Sequence, residues 1–352
     1  MRHRYLLLIL ISAILVLLVG CAQPNDPAKE VEEEEINYLE EVAFYETEGY
    51  VVDLDFGENY LYVAEDEGGF SIYNIESDTL CSRTRGYYSN DLYYTMSNIR
   101  LITVEETSKK ILAYNKYGTN AGMHIFDISD PNIPYHLFHH AGNTGDVTDL
   151  TSTAIDTLQF QFYWSNDYEY YSGKCRKWEA SEIWGIQGEV AVNLGFDVAQ
   201  MDEDYDNGTI YCASKQLGMK IVNKTDFSTI GTISTLGQTI AVKVVDSLAY
   251  LGNREEGIQI IDFTDLENPV ELFNYNTVGL ASDISVDVEK NIFALASTSG
   301  GVYLFKGSND EIERLQRIDD SEIGYTNVVA IKGDYLYVGT RYGIHKYLIV
   351  NL

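Results

Sequence analysis

The sequence predicts an all-β fold: a single β-propeller of seven four-stranded blades closed by an N-terminal strand, with six blades and an irregular insertion as the alternative. Three observations predict it. A glycine followed by a β-type run returns at Gly69, Gly122, Gly173, Gly218, Gly257, Gly301 and Gly343, at spacings of 53, 51, 45, 39, 44 and 42 residues. A period of roughly 40–50 residues with several short strands per unit marks a propeller rather than a helical array. The residues one and three after the glycine are usually apolar while the one between varies (Ser71, His124, Lys220, Gln259, Tyr303, His345), as alternation across a sheet face requires. Finally, 28 glycines and only 5 prolines punctuate short apolar runs.

Residues 1–20 read as a lipoprotein signal peptide. Arg2, His3 and Arg4 precede an apolar run over residues 6–19, shorter than the ~20 residues a membrane span needs. The run ends in Leu18-Val19-Gly20-Cys21, which resembles the bacterial lipobox. That resemblance implies an acylated Cys21 as the first residue of the mature chain, holding it on a membrane without spanning it. Residues 21–38 are then the lipidated cysteine and an acidic tether, with Pro24, Pro27 and the block Glu32 to Glu35, where like charges repel and leave nothing to bury. Ala22 after the cysteine resembles the sorting pattern of outer-membrane lipoproteins. The expected location is the bacterial cell envelope, lipid-anchored outside the cytoplasm, at the outer membrane or cell surface.

The net charge is −30, and loss of Arg2 and Arg4 with the signal peptide makes the mature chain more acidic still. Such a field excludes nucleic acid as an expected partner and suits a cation or a basic partner. Beyond Cys21, the chain has Cys81, Cys175 and Cys212, without metal-ligand spacing; Cys175 with Cys212 is the pair to test, since they fall in neighbouring repeats.

The propeller occupies residues 39–352. Each unit begins with an innermost strand and a hairpin, such as Gly57-Glu58-Asn59, then a second strand such as Tyr60 to Ala64, Leu248 to Gly252 or Tyr335 to Gly339, then the glycine and third strand. The last unit supplies three strands before Leu352. Its fourth is expected from residues 41–46 at the other end of the chain, because an open ring would leave blade edges unpaired.

Gly257-Ile258-Gln259-Ile260-Ile261-Asp262 and Gly122-Met123-His124-Ile125-Phe126-Asp127, followed by Asp-Ile-Ser-Asp-Pro through Pro131 in the latter, resemble the LVIVD repeat of bacterial surface propellers. The openings Asp283-Ile284-Ser285-Val286 and Asp53-Leu54-Asp55-Phe56 are similar to the same repeat. The resemblance implies a propeller on secreted or lipid-anchored proteins, without implying a reaction. Residues 173–178 depart from the pattern. The Asp-Ile-Ser-Asp-Pro element needs only an Asx turn to explain it.

Aligned on their apolar followers, the innermost strands open with Asp53, Asn98, Asp149, Asp197, Ala241, Asp283 and Asn327. Equivalent side chains would ring one mouth of the channel. Asp53, Asp149, Asp197 and Asp283 are therefore the candidate metal ligands, with Ca2+ as the candidate ion; the competing reading has each aspartate satisfying turn amides in its own blade. The acidic run Asp202 to Gly208 fails as an EF-hand because Ala213 stands at the twelfth position. The third unit holds every tryptophan, and Trp164, Tyr168, Tyr170, Trp178 and Trp184 are the candidate stacking surface for a protein or glycan, against a role as inter-blade core. His124, His139, His140 and His345 are the candidate histidines, but no nucleophile elbow, HExxH or P-loop is present. The function expected is a binding or scaffold module; the alternative is an extracytoplasmic hydrolase or lyase at the channel mouth, with a divalent cation.

Overall fold

In the computed structural model the described residues are 36–140, 146–155, 159–167, 174–181, 185–194, 196–204, 208–307 and 311–352. They form seven four-stranded antiparallel sheets and one two-stranded hairpin. The innermost strands of blades 1 to 7 are Asp53–Phe56, Ile99–Glu105, Asp146–Ala154, Gln200–Asp204, Ala241–Val245, Asp283–Asp287 and Thr326–Lys332. Blades 1 to 6 take their strands consecutively from the chain. In blade 7 the outermost strand is Leu39–Glu46, antiparallel to Gly343–Ile349 with Leu39 opposite Ile349 and Tyr45 opposite Ile344. The N-terminal closure and the seven-blade count read from the sequence are thus both present. The irregular third unit is a full blade, with strands Asp146–Ala154, Gln159–Asp167, Lys174–Ser181 and Gly185–Asn193.

Each sheet is apolar on both faces, so it must bury them against a neighbour on each side, and the core is divided accordingly. Seven apolar clusters lie one at each interface between adjacent blades. Leu112, Met123 and Ile125 of blade 2, for example, meet Leu150, Phe162 and Trp164 of blade 3. At the closure, Tyr45 and Tyr337 of blade 7 meet Val51, Leu61 and Tyr73 of blade 1. Stability therefore depends on all seven interfaces together.

The repeated glycine has a local cause. In four blades the loop between second and third strands places a non-glycine residue at positive φ, namely Asp66 (48°), Lys215 (51°), Arg254 (49°) and Thr298 (42°), three residues before the glycine. That residue bonds the chain entering the next blade: Asp66 N–H donates to Ile99 O (3.0 Å) and Ile99 N–H to Asp66 O (2.9 Å). The glycine then returns the chain at positive φ, 76° at Gly257, where a Cβ would lie 2.1 Å from the carbonyl oxygen of Tyr275 in the outermost strand. Gly257→Ala is expected to cost about 2–4 kcal/mol, combining left-handed strain with a backbone clash. The denaturant midpoint checks this; an unchanged midpoint contradicts it.

The face on which the chain enters each innermost strand, carrying the connections between blades and the loops between second and third strands, is here the entry face. The other is the exit face. On it the aspartates of the Asp-Ile-Ser-Asp-Pro element close Asx turns: Ser129 N–H donates to Asp127 Oδ1 (2.8 Å) and Asn132 N–H to Asp130 Oδ1 (3.0 Å).

Candidate functional site

An innermost strand offers neighbouring blades a row of backbone N–H groups that its own sheet does not use, and a buried N–H requires an acceptor. Side chains of the preceding blade supply it. Asp53 takes Leu54 N–H on Oδ1 (2.9 Å) and Ile102 N–H of blade 2 on Oδ2 (2.8 Å). Asp149 takes Leu150 N–H (2.8 Å) and Met201 N–H of blade 4 (2.5 Å) in the same way. Gln200 Oε1 accepts from Val242 N–H of blade 5 (2.8 Å), and Asp283 Oδ2 from Val329 N–H of blade 7 (3.0 Å). Two residues deeper a second tier repeats the device: Asp55 on Val104 N–H (2.7 Å), Asp202 on Val244 N–H (2.7 Å) and Ser285 on Ile331 N–H (2.9 Å). The repeated aspartates are stitches between blades, and not only caps of their own turns as one reading of the sequence had it.

Gln200 also reaches past blade 5, its Nε2 donating to Asp283 Oδ1 at 3.0 Å. The carboxylates are half-buried, and burial pushes Asp53 well above the ordinary carboxylate range, Asp149 up to about 7 and Asp283 up to about 6. Their mutual repulsion adds to this for Asp53 and Asp149. Among the described residues no group of three or more His, Cys, Asp or Glu has the geometry to hold a metal ion.

Three of the four predicted ring aspartates come together, and Asp197 does not. It precedes the innermost strand of blade 4, its side chain is 39% exposed, and it lies 3.5 Å from Lys215 Nζ; Gln200 holds the place expected for it. Asp197→Asn is accordingly expected to change stability by about 1 kcal/mol or less, equally in calcium and in chelator, as thermal melts would show. A calcium-specific effect of that substitution would contradict the placement.

Trp164 and Trp178 correct the expectation of an aromatic surface on blade 3. They are 0% and 3% exposed, edge to face at 5.4 Å, in the interface with blade 2, because a long-stranded blade needs large side chains to fill that gap. Cys21, Tyr168, Tyr170 and Trp184 lie outside the described residues, as does the side chain of Cys175; Cys212 is fully buried.

The histidines divide. His345 Nδ1 meets Glu41 Oε1 at 2.8 Å across the closure. His124 is buried, stacked on His139 at 4.3 Å, its Nδ1 3.2 Å from His136 Nε2. Burial lowers His124 to about 3 and His136 to about 4. His136 in turn stacks at 3.6 Å on Tyr87, from a hairpin, Gly86–Ser89 with Leu92–Thr95, inserted between blades 1 and 2. The hairpin turns at Asn90 and Asp91, both at positive φ, and shows Tyr88 and Tyr93 to solvent.

Sequence reading missed the asymmetry between the faces. Seven described tyrosines are exposed, and six of them, Tyr50, Tyr88, Tyr93, Tyr117, Tyr325 and Tyr342, lie on the entry face; only Tyr135 lies on the exit face. Arg85, Arg100, Lys116, Arg254 and Arg341 share the entry face, whereas Ile133, Leu266, Val270 and Val288 are exposed on the other. Tyrosine and arginine are the residues enriched in recognition surfaces.

The entry face also holds a cleft of about 380 Å³, lined by Phe44, Asp320, Ser321, Glu322, Ile323, Gly324, Tyr325, Arg341, Tyr342 and His345. A single helical turn, Asp320–Ile323, forms one wall; Asp319 caps it, accepting from Ser321 N–H, and Gly324 ends it at φ 84°.

The LVIVD repeat family matches the chain over residues 48–79, 236–277 and 323–345, so the chain carries LVIVD repeats. No curated protein matches it. Similar solved structures include U3-55K (11% identity, 90% of this chain and 99% of that one, TM-score 0.66) and the RRP9 WD40 repeats (12%, 90% and 100%, 0.67). A chain of the mitotic checkpoint complex is also similar (11%, 94% and 98%, 0.67). At such identities the likeness shows the fold alone.

Proposed function

We propose that this LVIVD-repeat propeller is a lipid-anchored binding module of the bacterial envelope that engages a protein or glycan through its entry face. The observation that carries the reading is the gathering of exposed tyrosines and arginines on that face. The anchor is Cys21. The tether reaches the disc on the opposite side: Tyr38 N–H donates to Gln316 Oε1 (2.6 Å) and Val350 N–H to Tyr38 O (2.9 Å), at the exit-face rim of blades 6 and 7. Because the chain joins the disc there, the tyrosine face lies on the side away from the tether's point of attachment.

Two measurements test this. Cys21→Ser should release the protein from the membrane fraction, and retention there would remove the anchor. A photo-crosslinking residue at Tyr117 should capture partner material in intact envelopes while one at Val288 should not; equal capture from both faces would defeat the reading.

A further inference from the structure

The cleft beside blade 7 is built from rings seated on glycines. A Cβ on Gly324 would lie 2.8 Å from Cδ2 and Cε2 of Tyr342, and one on Gly343 would lie 2.6 Å from Cζ of Phe44. Both rings thus rest against backbone while remaining 66% and 43% exposed, Phe44 lying also 4.8 Å from the ring of His345, and Tyr325, 43% exposed, stands on the same rim. Rings fixed against backbone with this much exposure are available for contact with a ligand.

Among the cleft's polar groups His345 is held by Glu41, but several others have no hydrogen-bond or ion-pair partner among the described residues. Five of the eight described arginines pair with a carboxylate, whereas Arg341 makes no ion pair among the described residues and its guanidinium lies 4.8 Å from the ring centre of Tyr50. No hydrogen bond or ion pair of the Glu322 carboxylate or of the Tyr325 and Tyr342 hydroxyls joins them to the described residues either. The cleft therefore presents acceptors (Glu322), donors (Arg341) and groups that serve as both (the two phenols) around aromatic faces. A cation would oppose Arg341 and an anion would oppose Asp320 and Glu322. A neutral ring with apolar C–H faces and hydroxyls at its edge satisfies every group, and the volume, at the low end for small-ligand sites, suits one or two such rings.

We propose that the blade 7 cleft is a carbohydrate subsite that stacks a pyranose on Tyr342 and Phe44 and pairs its hydroxyls with Glu322 and Arg341. This rests on the entry-face reading and names its ligand class. Saturation-transfer NMR on the full chain with maltose, cellobiose and diacetylchitobiose is the test. At least one disaccharide should show transfer to its ring C–H protons, in the millimolar range. Tyr342→Ala should weaken binding about tenfold, corresponding to ~1.4 kcal/mol, Tyr342→Phe should retain it within about threefold, and Tyr135→Ala on the exit face should leave it unchanged. Absence of transfer from all three sugars overturns the proposal, as does binding indifferent to Tyr342→Ala with the melting temperature preserved. Binding of glycine betaine in place of any sugar overturns it in favour of a zwitterion. Crosslinking from Tyr117 is independent of this cleft, so the face can survive the failure of the subsite.

Discussion

A chain that begins at residue 48 is expected to melt at least ~10 °C below the intact protein, if it holds a ring at all. Leu39 and Tyr45 are buried in two different inter-blade clusters, and burying each contributes roughly 1.5–3 kcal/mol. Tyr45 also stacks on Tyr73 at 5.0 Å and donates to Asp78 Oδ1 at 2.5 Å, where Lys346 Nζ also donates (2.6 Å). Losing the strand further strips the ladder partners of Gly343–Ile349. A loss of about 5 kcal/mol or more is a large part of the ~5–15 kcal/mol that stabilises a folded domain, and at ~2–4 °C per kcal/mol it sets the shift. Circular dichroism melts check this, and a peptide of residues 36–47 added in trans should recover part of the loss. An unaltered melt would mean that the closure holds nothing together.

Asp149→Asn should stabilise the protein at pH 8 by about 1–3 kcal/mol and have little effect at pH 4. Asparagine keeps an oxygen for Met201 N–H, gives up the acceptor for Leu150 N–H at a cost of about 1 kcal/mol, and removes a charge that burial disfavours. Because the folded chain holds the Asp149 and Asp283 protons more tightly than the unfolded chain does, their contribution is complete below the unfolded value near ~4 and is lost as pH rises through about 6 to 7. His124 and His136 act in the opposite sense. Held low by burial, they contribute stability above the unfolded histidine value of ~6.5 that is lost as pH falls toward 4. Between pH ~4 and ~6 the two aspartates and the two histidines therefore oppose one another, and Asp149→Asn should shift the stability maximum upward. A variant no more stable than wild type at pH 8 would show that the N–H stitches compensate fully for the buried charge.

The blade count and the closing strand were legible because the repeated glycine answers to a backbone clash and a positive φ, which no other residue tolerates well. The channel lining was only half legible. A bulge between Thr326 and Val328 shifts the last innermost strand by one residue, so counting back from an apolar residue lands on Asn327 instead of Val328; in blade 2 the apolar residue counted from is Ile99, whereas Leu101, past a bulge, holds the equivalent place. In blade 4 the strand starts at Gln200, three residues after Asp197, and an amide takes a place that aspartates hold elsewhere. The tryptophans were legible as a cluster but not as a buried one, since an interface between blades and a stacking surface use the same side chains. The cleft combines segments around residues 44, 320–325 and 341–345, which only the closed ring brings together.

That closure also sets a kinetic condition on folding. Glu41 and His345, which meet across it, are 304 residues apart in the chain. At a synthesis rate of ~5–20 residues per second the first strand waits roughly 15–60 s for its partner. Six blades can assemble locally in that interval, each from consecutive strands, but blade 7 remains an unpaired edge until the last turn of synthesis. The slow, high-contact-order step is thus confined to a single strand, and a chain stalled before residue 343 would display Leu39–Glu46 as a free β-edge open to pairing with another copy.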